Sequence, residues 1–320
     1  MMRKLLVGLA GLLLVLAMIP MAVIALNAPT SPPAMASMAT SSGQSKPDFP
    51  EPRQFLARDG TNLQYRAYFA APDKVAILIH GSAFPGTSMH ALAEALRAAG
   101  VTVYVPDVRG HGGSGRRGDI DYFGQIDDDL ADFVTQLGPT KSGESRTLVG
   151  FSAGAGFTVR FAGGPYGLLF DRYVFVAPIL PGSPTLRPRS GGWVGISVPR
   201  VVTIASLDRV GIHAFDGYPV LNYAVSPELS RWVTASYSYR LMMNFGAGNA
   251  HDVYLKNIRR PAAILVGSAD EQELADQFAP YLKRLDVNIP VTIVPDMKHA
   301  DMIGAPAALP MVVRAVMSRE

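Results

Sequence analysis

With 320 residues, 48% of them hydrophobic, the chain can bury a sizeable core as one large domain or two small ones. It contains no cysteine, which excludes a disulfide framework, a thiolate zinc site, an iron–sulfur cluster and a cysteine nucleophile. Once Arg3 and Lys4 (the only charges in positions 1–45) are set aside, the 29 basic and 26 acidic groups reduce to a net of +1, so no electrostatic footprint for nucleic acid remains.

Residues 5–26 form an unbroken apolar run behind Arg3 and Lys4. As a helix it would reach about 33 Å, enough for a hydrocarbon core of roughly 30 Å. Its length favours an uncleaved membrane anchor, with the following domain on the extracytoplasmic side. A small-x-small site, Ala34-Met35-Ala36 before Ser37, offers the alternative of a cleaved signal and a secreted or periplasmic product. Residues 27–52 are rich in proline, serine and alanine without periodicity, which predicts a flexible linker.

From residue 53 to the C-terminus the pattern changes to that of a folded domain. Phe55–Ala57 and Leu63–Tyr68 flank Asp59-Gly60 and read as a hairpin. Short β-branched runs follow at Val75–Ile79, Val101–Val105, Arg146–Val149, Tyr173–Val176, Ala263–Val266 and Val291–Val294. Helical patterns at His90–Ala99 and Ile126–Leu137 lie between them. Strands apolar on both faces and alternating with helices predict a mostly parallel sheet covered on both sides. In such sheets catalytic groups gather at the carboxyl ends of the strands.

Gly150-Phe151-Ser152-Ala153-Gly154 directly follows one predicted strand and precedes the apolar stretch Ala155–Ala162. A tight strand-to-helix turn leaves no room for a Cβ beside the nucleophile and pushes its hydroxyl into the open. This makes Ser152 the candidate nucleophile. A serine needs a base, and the base an orienting acid. Asp270 follows the strand Ala263–Val266, and His299 follows Val291–Val294, in the order Ser, Asp, His. Of the six histidines only His299 occupies a loop after the last strand; His80 and His111 read as turn-bracing groups. Asp270 is preferred to Glu271 and Asp296 as the acid, with an N-cap for a helix over Gln272–Leu285 as its rival role. The main-chain N–H groups of Ser82 and Ala153 are the candidate oxyanion donors, with Ala83 as the alternative to Ser82. Gly110–Gly115 fits G-x-G-x-x-G, but it neither starts at the strand end nor opens an apolar helix, so a nucleotide site is rejected. Nothing in the sequence indicates a metal or another cofactor.

Ile79-His80-Gly81, then Asp107-Val108-Arg109-Gly110-His111-Gly112-Gly113-Ser114-Gly115, Gly150–Gly154 and the strand end Val176-Ala177-Pro178 together resemble the α/β-hydrolase superfamily. Within it they are most similar to the monoacylglycerol lipase and lysophospholipase-like branch, also called serine aminopeptidase-like. The resemblance covers residues 53–180 and 256–318 and implies an α/β-hydrolase fold with a cap insertion at about 181–255. It implies the same roles for Ser152, Asp270, His299, Ser82 and Ala153. The insertion holds Trp193, Trp232, five tyrosines and few charges, a composition that suits a greasy acyl group or simply the cap's own core. The expected activity is cleavage of small carboxylic esters, lipid monoesters or lysophospholipids foremost. The alternatives are an aminopeptidase or acyltransferase on the same residues, or a non-catalytic binding protein. A peptidase would need an acidic group in the cap, for which Asp208, Asp216 and Glu228 are available.

Overall fold

The computed structural model describes residues 18–35, 48–70, 73–139 and 143–318. Its centre is an eight-stranded sheet of β1 (Arg53–Leu56), β2 (Asn62–Tyr68), β3 (Lys74–Ile79), β4 (Thr102–Pro106), β5 (Ser145–Phe151), β6 (Arg172–Val176), β10 (Ala262–Gly267) and β11 (Val291–Val294). The spatial order is β1-β2-β4-β3-β5-β6-β10-β11, and β2 alone runs against its neighbours. The chain leaves β3 for β4 on one side and returns to β5 on the other. That reversal opens a crevice at the carboxyl ends of β3 and β5, where α/β sheets bind ligands.

The central strands are apolar on both faces because both faces are covered. Along β3, Ile77 and Ile79 join one apolar cluster while Ala76 and Leu78 join another on the opposite side. The first face carries α2 (Gln125–Gln136), α3 (Ala153–Ala162) and α7 (Phe278–Leu285), which contribute Phe133, Phe157, Phe161 and Phe278. The second carries α1 (His90–Ala98) and α8 (Leu309–Met317), which contribute Leu92, Leu96, Val312 and Val316. These apolar positions recur every three or four residues, so each helix turns one stripe inward.

The insertion between β6 and β10 folds as a small cap. Its three-stranded antiparallel sheet joins β7 (Val194–Ile196), β8 (Pro219–Tyr223) and β9 (Ser236–Ser238). Helices α4 (Val198–Asp208) and α5 (Tyr239–Asn244) accompany it, and α6 (His251–Asn257) packs back against α3. The entry to the cap is tied to the loop after β10: Arg187 N–H donates to the Gln272 carbonyl at 2.9 Å, and Leu274 N–H to that of Thr185 at 2.7 Å.

The N-terminal segment corrects one expectation. No helix among the described residues is long and apolar enough to cross a membrane. The anchor expected over 5–26 falls partly on residues 5–17, which lie outside the described residues. Its described part, residues 18–26, is helical. Near its end Ile24 is 1% exposed and belongs to the protein's own core cluster, so this part packs against the folded domain. The transmembrane helix, and the membrane partner inferred from it, are therefore withdrawn. Part of the expected linker lies along the cap. Ser197 Oγ donates to the Asn27 carbonyl at 2.6 Å, Asn222 Nδ2 to that of Pro29 at 2.9 Å, and Met35 N–H to that of Ala224 at 3.1 Å. Gly195 lets this close approach happen, because a Cβ there would lie 2.1 Å from the Thr30 carbonyl oxygen.

Candidate active site

The sharp turn from β5 into α3 sets the position of Ser152. Its backbone sits at φ 57°, ψ −124°, a strained conformation for a residue with a side chain. The Ser152 N–H donates to the Val176 carbonyl at 2.9 Å, and its own carbonyl accepts from Ala155, Gly156 and Ile179. The flanking glycines are required by contact. A Cβ on Gly150 would meet Thr158 Oγ1 at 2.4 Å, and one on Gly154 would meet the His80 carbonyl oxygen at 2.2 Å.

Three of the residues singled out in the sequence meet at this turn. The Ser152 hydroxyl is 2.8 Å from His299 Nε2, and His299 Nδ1 is 2.8 Å from Asp270 Oδ2. The carboxylate requires Nδ1 to carry a proton, which leaves Nε2 to accept from the serine. All three are buried, with His299 wholly enclosed and Ser152 only 3% exposed. The other oxygen of Asp270, Oδ1, accepts the N–H groups of Gln272 at 2.8 Å and Glu273 at 3.0 Å. Asp270 thus also closes the turn it stands on, while the helix expected from Gln272 begins only at Phe278. Glu271 Oε2 accepts the His299 N–H at 3.0 Å and steadies the histidine loop. Asp296 is exposed, and its N–H donates to Ser268 Oγ at 2.8 Å.

The loop after β3 stands opposite the serine. Ala83 N–H donates to the Tyr237 hydroxyl at 2.8 Å, which removes it as a free donor. Ser82 and Ala153 lie at the ends of β3 and β5, where adjacent register pairs Ile79 with Gly150. The Ser82 hydroxyl accepts from Trp193 Nε1 at 3.0 Å, and the Phe84 ring stacks on Trp193 with 5° between planes. Tyr223 and Tyr237 pack beside them with ring centroids 4.8 Å apart. Burial pushes both hydroxyls above the usual phenol range, so they stay protonated. Neither Trp193 nor Tyr237 could be placed at the site from the sequence, since nothing in the insertion marks which aromatics turn inward. Trp232, similar in sequence context, is 75% exposed.

His80 and His111 brace the loops beneath. Val108 N–H donates to His80 Nε2 at 3.0 Å, so His80 Nδ1–H donates to the Gly81 carbonyl at 2.8 Å. His111 Nδ1 faces the carbonyls of Val108 and Arg109, while Nε2 meets the Tyr237 hydroxyl. Burial pulls both imidazoles below their ordinary range, and they are neutral. The glycine-rich loop 110–115 wraps Asp107, whose Oδ2 accepts Gly113 N–H at 2.9 Å and whose Oδ1 accepts Gly86 N–H at 2.7 Å. A Cβ on Gly112 would lie 2.1 Å from Asp107 Oδ2, so the loop closes on this carboxylate only with a glycine there. Of the cap acids considered for a substrate amine, Asp208 and Asp216 contact His213 at 2.7 and 3.2 Å, and Glu228 is exposed.

A serine on a strand-to-helix elbow, set at the crevice of a mostly parallel sheet with helices on both faces, defines an α/β-hydrolase. The chain belongs to the family described as serine aminopeptidase, S33, whose model matches residues 70–271. No curated protein matches it. Among solved structures, the monoacylglycerol lipase of Paleococcus ferrophilus superposes with a TM-score of 0.60 at 19% identity, over 79% of this chain and 98% of that one. A soluble variant of monoglyceride lipase from Saccharomyces cerevisiae gives 0.63 at 17% identity, over 85% and 95%. The bromoperoxidase of Bacillus anthracis gives 0.58 at 18%, over 83% and 100%. At these identities the likeness is one of fold.

Proposed function

We propose that the protein is a serine hydrolase that cleaves carboxylic esters of lipid type, such as monoacylglycerols or lysophospholipids. The observation that carries the reading is the hydrogen-bonded series Ser152 Oγ, His299 Nε2, His299 Nδ1, Asp270 Oδ2, with 2.8 Å at each link. His299 Nε2 takes the hydroxyl proton as Ser152 Oγ bonds to the ester carbonyl carbon. The oxyanion that forms is held by the main-chain N–H groups of Ser82 and Ala153. Collapse breaks the ester C–O bond, and the leaving alkoxide takes the proton back from His299. Water then repeats the sequence on the acyl-enzyme, with His299 again as base and acid. Asp270 orients the ring and stabilises the imidazolium.

The aromatic cover favours an acyl chain over a charged substrate. Trp193, Phe84, Tyr223 and Tyr237 stand over the oxyanion loop, whereas two of the three cap acids are engaged by His213. Ser152 is only 3% exposed, and the cap is tied to the neighbouring loop through Trp193 and Tyr237, so movement of the cap is the proposed route of substrate entry. The test is hydrolysis of p-nitrophenyl esters of increasing acyl length by the full chain, with Ser152→Ala as control. Turnover by the wild type with a loss of about 10³-fold or more in the variant is expected, with a preference for long chains. Equal rates in the two proteins would overturn the assignment of Ser152, and a preference for acetate would overturn the lipid reading.

A further inference from the structure

Glu273 lies beside the serine–histidine–aspartate series and takes no part in it. It is 1% exposed, and neither side-chain oxygen has a hydrogen-bond partner. Yet one of its oxygens lies within 4.8 Å of a carboxylate oxygen of Asp270 and a ring nitrogen of His299. The side chain is held there by its backbone. Glu273 N–H donates to Asp270 Oδ1 at 3.0 Å, its carbonyl accepts from Arg187 Nε at 3.2 Å, and it bridges to Leu186 at the cap entry. An enclosed carboxyl with no donor is expensive to keep, and an aliphatic side chain would fill the position without that cost.

The proton of this carboxyl pair can be placed. Two carboxyls this close do not both ionise cheaply in a buried site. Three N–H groups converge on Asp270, from Gln272, Glu273 and His299 Nδ1, while none reaches the Glu273 side chain. The charge therefore belongs on Asp270 and the proton on Glu273. Burial first, and the Asp270 charge second, hold the Glu273 carboxyl well above the usual carboxylate range. The other charged or titratable groups around it are His299, Glu271 on the histidine's N–H, and Arg187, whose Nε faces the main-chain carbonyls of residues 270 and 273.

We propose that Glu273 is a reserve acid of the site: a positioning residue that accepts His299 Nδ1–H whenever Asp270 carries no charge. The proposal rests on the reading of Ser152, His299 and Asp270 given above. Replacing Asp270 by asparagine removes the like charge and leaves burial alone to hold the proton on Glu273. Glu273 then ionises at a lower pH than in the wild type, and once ionised it offers a carboxylate to the imidazole from the same loop.

The test compares the full-length wild type, Ser152→Ala, Asp270→Asn, and Asp270→Asn with Glu273→Gln, in ester hydrolysis from pH 5 to 10. Asp270→Asn is expected to stay within about 100-fold of the wild type and to gain rate with pH as Glu273 ionises. The double variant is expected to fall about 10⁴-fold, the loss typical of a triad without its acid, and to lose that pH dependence. Equal inactivity of the single and double variants, both folded by circular dichroism, would overturn the proposal. Activity surviving in Ser152→Ala would instead overturn the nucleophile assignment beneath it. Should Asp270→Asn not fold, the His299 Nδ1 resonance decides. In the wild type it is expected to show a titration step that is absent in Glu273→Gln, and identical titrations would overturn the proposal.

Discussion

The Tyr237 hydroxyl accepts the main-chain N–H of Ala83 at 2.8 Å and turns its own proton toward His111 Nε2. One cap side chain thereby joins the loop after β3 to the glycine-rich loop after β4 and engages the Ala83 amide. Tyr237→Phe keeps the ring and its packing against Tyr223 but leaves the Ala83 N–H and His111 Nε2 without partners. Each such loss costs about 1–3 kcal/mol in a buried setting. A Tm lowered by several degrees is expected in a thermal melt, at roughly 2–4 °C per kcal/mol for a domain of this size. An unchanged Tm would mean that the two groups find other partners.

Trp193 fastens the cap at a second point, through Nε1 to Ser82 Oγ at 3.0 Å. Trp193→Phe preserves an aromatic ring against Phe84, deletes the hydrogen bond and gives up part of a buried ring that also packs on Tyr223. A net hydrogen bond contributes about 0.5–1.5 kcal/mol, so the open fraction of the cap should rise by up to about tenfold. The readout is the rate at which a fluorophosphonate labels Ser152. Faster labelling together with a lowered Tm is the expected result, and an unchanged rate would show that this bond does not limit access.

Gly154 is fixed by contact rather than by backbone freedom. An added Cβ would lie 2.2 Å from the His80 carbonyl oxygen and 2.7 Å from that of Ile79, and both belong to the strand end that faces the serine. Gly154→Ala must push α3 away from β3, which is expected to cost more than 3 kcal/mol and to abolish labelling of Ser152. At Gly304 the nearest atom to an added Cβ is 3.9 Å away, so Gly304→Ala is the matched control, with a Tm near that of the wild type.

These contacts also show what could be read in the sequence. The strands of the sheet announce themselves because their surroundings are simple: a run such as Tyr173–Val176 is buried on both faces, and a β-branched apolar run has few other uses. Gly150, Ser152 and Gly154 are legible for a related reason, since only a turn this tight forbids a Cβ at fixed positions. The cap gives no such signal. Its strands are three to five residues long, Trp193 and Trp232 look alike until one is enclosed and the other is at the surface, and inward or outward is decided by packing against a distant loop. Nothing in the sequence sets Glu273 apart from the neighbouring acids Asp270 and Glu271, and only the fold reveals that it is shut away from water.

The N-terminal segment can be tested apart from the site. Ile24 is buried in the core cluster, and residues 27–35 make main-chain contacts with the cap. Ile24→Asp would place a charge in an apolar setting and should release the segment, since detachment costs less than burying an unpaired carboxylate. Hydrogen exchange at the amide of Met35, bonded to the Ala224 carbonyl at 3.1 Å, is expected to accelerate, and the Tm to fall. Unaltered exchange at Met35 would show that the segment holds to the cap without Ile24.

The buried carboxyl of Glu273 also links stability to pH, and the sign follows from the direction of its shift. Burial and the Asp270 charge raise its folded-state value above that of the unfolded chain. The unfolded state therefore releases this proton first, near the ordinary value of about 4.3. Stability from this group is fully present below that pH and is lost progressively as pH rises, until the folded state ionises as well. Glu273→Gln does not titrate and escapes the loss. Its Tm relative to the wild type should accordingly climb between pH 4.5 and 7, by the equivalent of up to about 1.4 kcal/mol per pH unit. Subtracting the two proteins' melting profiles cancels the carboxylates and histidines they share, including His80 and His111. A difference that stays flat across this range would place the Glu273 carboxylate in water in solution, and with it would go the account of why the charge of the pair resides on Asp270.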